Sequence, residues 1–365
     1  MYASLQACRA AAALMVVLFH LGGSFAQARY FGYAGPDSLF AWGDAGVDFF
    51  FVLSGFLITT VHRDDFGHTR ALPRYLFKRA VRIYPTYWLV CAAVCLAALV
   101  VPSLREALPS EPLVYAKALA LLPQDPELVG GIGSPILFVA WSLQYELMFY
   151  AVIAAFIAGR GLGVLVVATL LTVGLGCQLG SSCAFPASFV ANNMSFLFAL
   201  GVGAAGVAGS RWRMPKPALV AALAACAFLA FGVLELQIGR DALPLDRRLG
   251  YGVIASVLIV ALVQAEDAGA PVLRQRWLAL LGDSSYALYL LHIPVISVLC
   301  KLFARAGVSG PFALSAVFVL IVLACVGASV LFHVAIERPL LARLRWRARK
   351  PAPATFGGVV TMPRP

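Results

Sequence analysis

The stretch AGVDFFFVLSGFLITTV, residues 45–61, carries one charged side chain, Asp48, in seventeen positions. As a helix it would cover about 26 Å, close to the roughly 30 Å hydrocarbon core of a bilayer. Working outward, apolar runs of spanning length recur near 5–25, 83–101, 136–158, 161–179, 189–209, 218–238, 249–265, 277–303 and 312–336. Over the 365 residues, 61% are apolar and 12% charged, against about 45–50% and about 25% in soluble domains. No polar stretch is long enough to fold as a separate soluble domain. The expected fold is therefore an all-α membrane protein, a bundle of about ten transmembrane helices spanning residues 1–345. Residues 346–365 read as a basic, disordered cytoplasmic tail, being rich in Pro and Gly and without periodicity.

The formal charge of +11 does not point to nucleic acid, because the basic residues sit between apolar spans rather than on one patch. Placing the amino terminus inside puts 19 of the 28 Lys and Arg in the inner loops and tail and 8 in the outer loops, with Arg9 inside the first span. That asymmetry predicts both termini in the cytoplasm and a multi-pass location in the cell inner membrane. A cleavable signal peptide ending near Ala26-Gln27-Ala28 competes with the first span, and His20 within the apolar stretch speaks against it. Cys177 and Cys183 flank a short loop and form a candidate disulfide if that side is oxidising. The remaining cysteines suit apolar packing, and no metal-ligand spacing appears.

Ionisable side chains inside spans are costly and mark function by default. Arg9 and His20 are eleven residues apart, about 20° from three full turns, so they share a helix face about 16 Å apart along the axis. Asp48 matches His20 in expected depth, which predicts an Asp48–His20 hydrogen bond fixing the imidazole tautomer. Glu146 lies mid-span in Trp141-Ser142-Leu143-Gln144-Tyr145-Glu146, and His292 lies two residues before Pro294. Glu146 has a second reading as the partner of Arg9 or Arg82, and His292 as a hydrogen bond between helices. Arg79 and Arg82, three apart before Ile83-Tyr84-Pro85, present two forked guanidiniums that suit phosphate. His62 and His68, with Asp64 and Asp65, read as a solvated loop. An enzyme and a transporter or flippase using Arg9, His20, Asp48 and Glu146 as a relay account for these residues equally well.

The combination resembles the acyltransferase type 3 family of integral membrane acyltransferases, from about residue 4 to 345. The resemblance is carried by Arg9 and His20, Gly46-Val47-Asp48 through Ser54-Gly55-Phe56-Leu57, Arg79-x-x-Arg82-Ile83-Tyr84-Pro85 and Trp141-Ser142-Leu143 with Glu146. Ser284-Ser285-Tyr286-x-Leu288-Tyr289-x-x-His292-x-Pro294 and Glu337-Arg338-Pro339 complete it, all in the family's order. It implies an O-acyltransferase that moves an acyl group, commonly acetyl, from acyl-CoA to a hydroxyl. The implied acceptor is a cell-envelope or exported glycan, a lipid-linked sugar or a glycosylated metabolite. The implied form is the stand-alone one, without a fused soluble hydrolase-like domain, and with no metal. On this resemblance His20, Asp48 and Glu146 are the candidate catalytic residues, and Arg9, Arg79, Arg82 and Tyr84 the donor-binding ones. Ser54, Trp141, Tyr145 and His292 would line the substrate path.

Overall fold

The computed structural model describes residues 2–100, 105, 108–180, 183–242, 246–270, 273 and 275–347, and among these every regular element is helical. In chain order they are α1 (Ala3–Ala26), α2 (Gly35–Phe40), α3 (Ala45–His62), α4 (Leu72–Val100), α5 (Pro112–Leu119), α6 (Pro126–Val129), α7 (Trp141–Ala158) and α8 (Arg160–Leu179). Then follow α9 (Ala187–Val190), α10 (Met194–Gly209), α11 (Pro217–Ile238), α12 (Arg247–Asp267), α13 (Arg276–Asp283), α14 (Ser285–Arg305), α15 (Pro311–Phe332) and α16 (Arg338–Arg347). Among the described residues ten helices are long and apolar enough to cross a membrane, and each falls on one of the ten apolar runs. The chain is a multi-pass membrane protein. We call the face where α1 begins proximal and the face where it ends distal. Glu337, past the end of α15, lies within charge reach of Arg9 near the start of α1, so both described ends of the chain meet at the proximal end.

Three departures from the apolar pattern shape the interior. The ninth run is not one helix: Ser284 separates the short α13 from α14, which alone has spanning character. The third span starts earlier than its apolar run, since α4 has 29 residues and extends for about 43 Å. Its first turns carry Arg74, Lys78, Arg79 and Arg82. The third departure is the segment between α4 and α7, which turns back into the bundle instead of forming a distal loop. Tyr87 donates to the Ala118 carbonyl at 2.7 Å, Tyr84 to Ala120 at 3.0 Å and Trp88 Nε1 to Leu119 at 2.8 Å. Gln144, itself buried, donates to the Gly133 carbonyl at 3.0 Å and to Leu122 at 3.3 Å. Non-helical backbone at membrane depth needs such partners, because lipid supplies none. Of the expected tail, residues 348–365 lie outside the described residues.

The centre of the bundle is α3, whose residues 45–53 include only one that is not fully buried. It reaches its neighbours backbone to backbone. A Cβ on Gly46 would collide with the Ala12 carbonyl of α1, one on Gly55 with Phe198 of α10, and one on Gly201 with Val52 of α3. Small residues are the usual device for close helix approach in lipid, where hydrophobic burial gives no drive to association. The distal ends of α11 and α12 are tied to the start of α3 by charge: Asp44 meets Arg240 at 3.1 Å and also pairs with Arg247. Buried Glu235 contacts Arg240 at 3.0 Å and accepts from Tyr251 at 2.7 Å. Cys177, in the last turn of α8, is disulfide-bonded to Cys183, with Cα atoms 5.0 Å apart.

Overpacking in a closely packed interior costs about 1–3 kcal/mol and sometimes more. Gly201→Val should therefore lower the Tm of the detergent-solubilised protein, because it forces α10 off α3. Gly203→Ala, whose Cβ meets nothing, should leave Tm unchanged or raise it. Equal Tm values for the two variants would contradict the close α3–α10 contact.

Candidate active site

Two polar constellations lie on the inward face of α1, one at each candidate residue of that helix. The distal one is built on His20. Its Nδ1 is 3.0 Å from the Val16 carbonyl, one turn back on the same helix, and 3.3 Å from Nε2 of His292 on α14. His292 is fully buried, and its Nδ1 is 3.1 Å from the Leu288 carbonyl. A carbonyl only accepts, so both rings carry their proton on Nδ1. His292 Nε2 then presents a lone pair to the His20 Nδ1–H. The remaining nitrogen, His20 Nε2, has no partner among the described residues and keeps its own lone pair. The neighbours of the two rings are aromatic. Phe138, in the 3₁₀ turn before α7, lies edge-on to His20 at 6.0 Å, and Tyr289 packs 5.9 Å from His292. Tyr289 is fixed through Ser142 at 2.7 Å and the Val139 carbonyl at 3.1 Å, so the re-entrant segment is anchored to α14 one turn from His292.

Asp48 does not make the expected bond to His20. The reasons are level and azimuth: Gly46 packs on Ala12, so Asp48 lies to the proximal side of His20. Gly46 and Phe50 face α1 and α14, with Phe50 6.4 Å from Tyr289, while Asp48 is about 200° around the helix from each. It is 3% exposed, and the charges it feels most strongly are Arg248, Asp44 and Arg247. The Val16 carbonyl sets the His20 tautomer, and the side chain that shares its Nδ1–H is His292, placed by sequence on the substrate path. Trp141 and Tyr145 line the Phe51 side of α7, and Tyr145 stacks on Phe189 at 4.1 Å.

The proximal constellation gathers the arginines. Arg9 donates from Nη2 to Ser285 Oγ at 3.0 Å and from Nη1 to Gln6 at 3.4 Å, and it lies within charge reach of Arg82, Asp283, Glu146 and Glu337. Arg82 lies 5.2 Å over the ring of Tyr286, whose hydroxyl donates to the Ile83 carbonyl at 2.9 Å. Arg79 lies 5.5 Å from the Tyr150 ring and 5.9 Å from the Tyr75 ring. Among the described residues no carboxylate is within ion-pair distance of Arg9, Arg79 or Arg82. Three half-buried guanidiniums are thus oriented by hydroxyls and ring faces, with their charge left for an anion.

Glu146 belongs to this proximal group and not beside His20. It accepts from Tyr150 at 2.5 Å and from Ser54 at 3.4 Å, which also moves Ser54 from the expected path to the arginine end. Tyr84, expected among the donor-binding residues, spends its hydroxyl on the re-entrant segment. Glu337 was missed as a site residue. It is fully buried, contacts His333 at 2.6 Å and accepts from Thr86 at 3.3 Å, across a turn of π-helix (His333–Glu337) that joins α15 to α16. The rule that singled out Glu146 asks for a carboxylate within an apolar run, and Glu337 falls one residue past the run 312–336.

With this geometry in place, comparison with known proteins is decisive. An acyltransferase domain family model matches residues 2–334. The chain belongs to this acyltransferase family. It is 30% identical over 321 residues to the exopolysaccharide production protein ExoZ of Rhizobium meliloti, covering 84% of this chain and 92% of that one. No solved structure matches. Membership makes the protein a membrane acyltransferase and sets aside the transporter reading of the buried charges.

If the His292 lone pair supports the charge that develops on His20, His292→Leu should lower kcat about tenfold to hundredfold at nearly unchanged donor KM, a loss confined to the chemical step. His292→Gln, which keeps an acceptor, should recover part of it. Equal kcat for both variants and wild type would remove His292 from the site.

Proposed function

We propose that this acyltransferase takes an acyl group, acetyl in the first instance, from acyl-CoA and places it on a hydroxyl of an exported or envelope glycan or of its lipid-linked precursor. The observation that carries the reading is the placement of a proton-accepting imidazole nitrogen about 16 Å along α1 from a set of guanidiniums with no carboxylate in ion-pair contact among the described residues. The relative named for exopolysaccharide production favours a glycan acceptor. The charge asymmetry of the loops favours a proximal face in the cytoplasm of an inner membrane, which is where acyl-CoA is found.

On this reading the donor's phosphates lie against Arg79 and Arg82, and its pantetheine arm runs between the helices past Arg9. The thioester carbonyl then meets the acceptor beside His20. His20 Nε2 takes the proton of the acceptor hydroxyl as its oxygen attacks the carbonyl carbon. The C–S bond breaks, and the proton passes to the departing CoA thiolate. His292 accepts from Nδ1–H throughout, so the positive charge that develops on His20 is stabilised by a neutral ring. Glu146 and Glu337 balance the arginines and take no part in the proton transfer. Asp48 takes no part in the transfer, lying within charge reach of the α12 arginines Arg247 and Arg248.

Membranes containing the protein, incubated with acetyl-CoA labelled in its acetyl group, should transfer label to envelope glycan or lipid-linked sugar. His20→Ala at equal expression should reduce that rate by about 10²–10⁴-fold, the usual worth of a placed general base. Arg79→Ala and Arg82→Ala should act mainly by raising the donor KM. Equal labelling by wild type and His20→Ala would contradict the assignment.

A further inference from the structure

Buried polar atoms without a partner are rare in folded proteins. Among the described residues four such side-chain atoms occur: Thr59 Oγ1, His62 Nε2, Arg79 Nε and Glu235 Oε1. The last belongs to a carboxylate already in contact with Arg240 at the distal face. The other three lie together at the proximal ends of α3 and α4. Thr59 and His62 are three residues apart and share one face of α3. The His62 ring stands edge-on to Tyr75 at 4.9 Å, and the Arg79 guanidinium lies 5.9 Å from the same Tyr75 ring. Thr59 is 8% exposed and His62 3%, so the stretch that reads as a solvated loop is in fact interior at His62.

His62 is also held in a defined state. Its Nδ1 is 2.8 Å from Asp65 Oδ2, and an ionised carboxylate only accepts, so the neutral ring carries its proton on Nδ1. The partnerless Nε2 is then a lone pair beside Arg79, with Lys78 also within charge reach. The charged and titratable groups facing this imidazole are Asp65 on its own segment and Tyr75, Lys78 and Arg79 on α4. A hydroxyl, a guanidinium N–H and an imidazole that becomes a donor on taking one proton, with two fixed positive charges behind them, suit an acceptor-only dianion.

We propose that Thr59, His62, Asp65 and Arg79 form a phosphomonoester pocket at the proximal face that takes up one proton as it fills. A monoester fits better than a diester or a carboxylate because its second ionisation, near pH 6, overlaps the ordinary imidazole range near about 6.5. The monoanion brings its own proton: its P–O–H gives that proton to His62 Nε2, which returns an N–H···O bond to the same oxygen. The dianion instead draws the proton from solvent. No covalent bond is made or broken. On the reading that Arg79 and Arg82 face the donor, the ligand is the 3′-phosphate of CoA, the only monoester on that molecule. The same chemistry is offered by the headgroup of phosphatidic acid.

The full-length protein in nanodiscs separates these sources. Wild type should bind CoA more tightly than 3′-dephospho-CoA, and that preference should fall between about pH 6.5 and about pH 8, approaching tenfold per unit where one proton is coupled. In His62→Gln, which cannot titrate, the preference should be flat with pH. Should His62→Gln fail to fold, Asp65→Asn, which changes a half-exposed residue, should weaken the pH dependence in the same direction. If CoA and 3′-dephospho-CoA bind equally but phosphatidic acid raises the Tm of wild type and not of His62→Gln, more at low pH, the pocket stands with a lipid as its ligand. If no form of CoA binds, the donor reading fails, and the phosphatidic acid comparison alone decides the pocket. Identical behaviour of wild type and His62→Gln toward CoA and phosphatidic acid at every pH would overturn the proposal.

Discussion

A guanidinium at membrane depth must find polar company, and Arg9 on α1 sets the terms on which much of the bundle is assembled. Its bonds to Gln6 and Ser285, with Gln6 in turn held 2.5 Å from Asp283, bring the junction of α13 and α14 against the first helix. That contact fixes the register of α14 along α1. Seven residues beyond Ser285, on the same helix, His292 arrives beside His20. The arginine end and the histidine end are thus not independent sites: one helix pair, locked at its proximal end by Arg9, presents both. Lipid makes the lock effective, since a broken polar contact there is not replaced by water.

The second constraint is the re-entrant segment. It brings main-chain carbonyls to Tyr84, Tyr87 and Trp88 and delivers Phe138 and Val139 to the histidine pair. The histidine pair is therefore bordered on one side by irregular backbone inside the bundle. Such backbone is tolerated only where protein satisfies it, and Gln144 on α7 does so through two carbonyls. The acceptor would meet His20 in a space bounded by aromatic rings on the side nearest Phe138 and Tyr289, which suits the exclusion of bulk water from a thioester.

The ten spans were legible because membrane thickness imposes a length on every crossing, and composition reports that length directly. Arg9, His20, Arg79 and Arg82 were legible because charge inside an apolar run is unusual enough to stand out. What composition does not carry is azimuth. The expected match in depth fails as well, since Gly43 meets Met15 and Phe19 and Gly46 meets Ala12, which puts Asp48 well to the proximal side of His20, and Asp48 also points about 200° away from the Gly46 and Phe50 face. For Glu146 the sequence offers both a catalytic role and a partnership with Arg9 or Arg82, and Tyr150 and Ser54 hold it at the arginine end. The re-entrant segment escaped notice because its stabilising bonds run to main-chain carbonyls, which leave no trace in side-chain pattern. His62 escaped because a single histidine near two aspartates looks like loop until Tyr75 is seen to cover it.

The central claim is that one acyl-CoA reaches from the proximal arginines to His20 along the α1–α14 face. The most direct measurement is a structure of the protein with a non-hydrolysable acyl-CoA analogue bound in a lipid nanodisc. The account predicts phosphate oxygens at Arg79 and Arg82, the pantetheine arm beside Arg9, and the carbonyl that replaces the thioester within reach of His20 Nε2. An analogue whose acyl end stops among Arg9, Glu146 and Glu337, or whose phosphates lie at the distal face near Arg247 and Arg248, would contradict it.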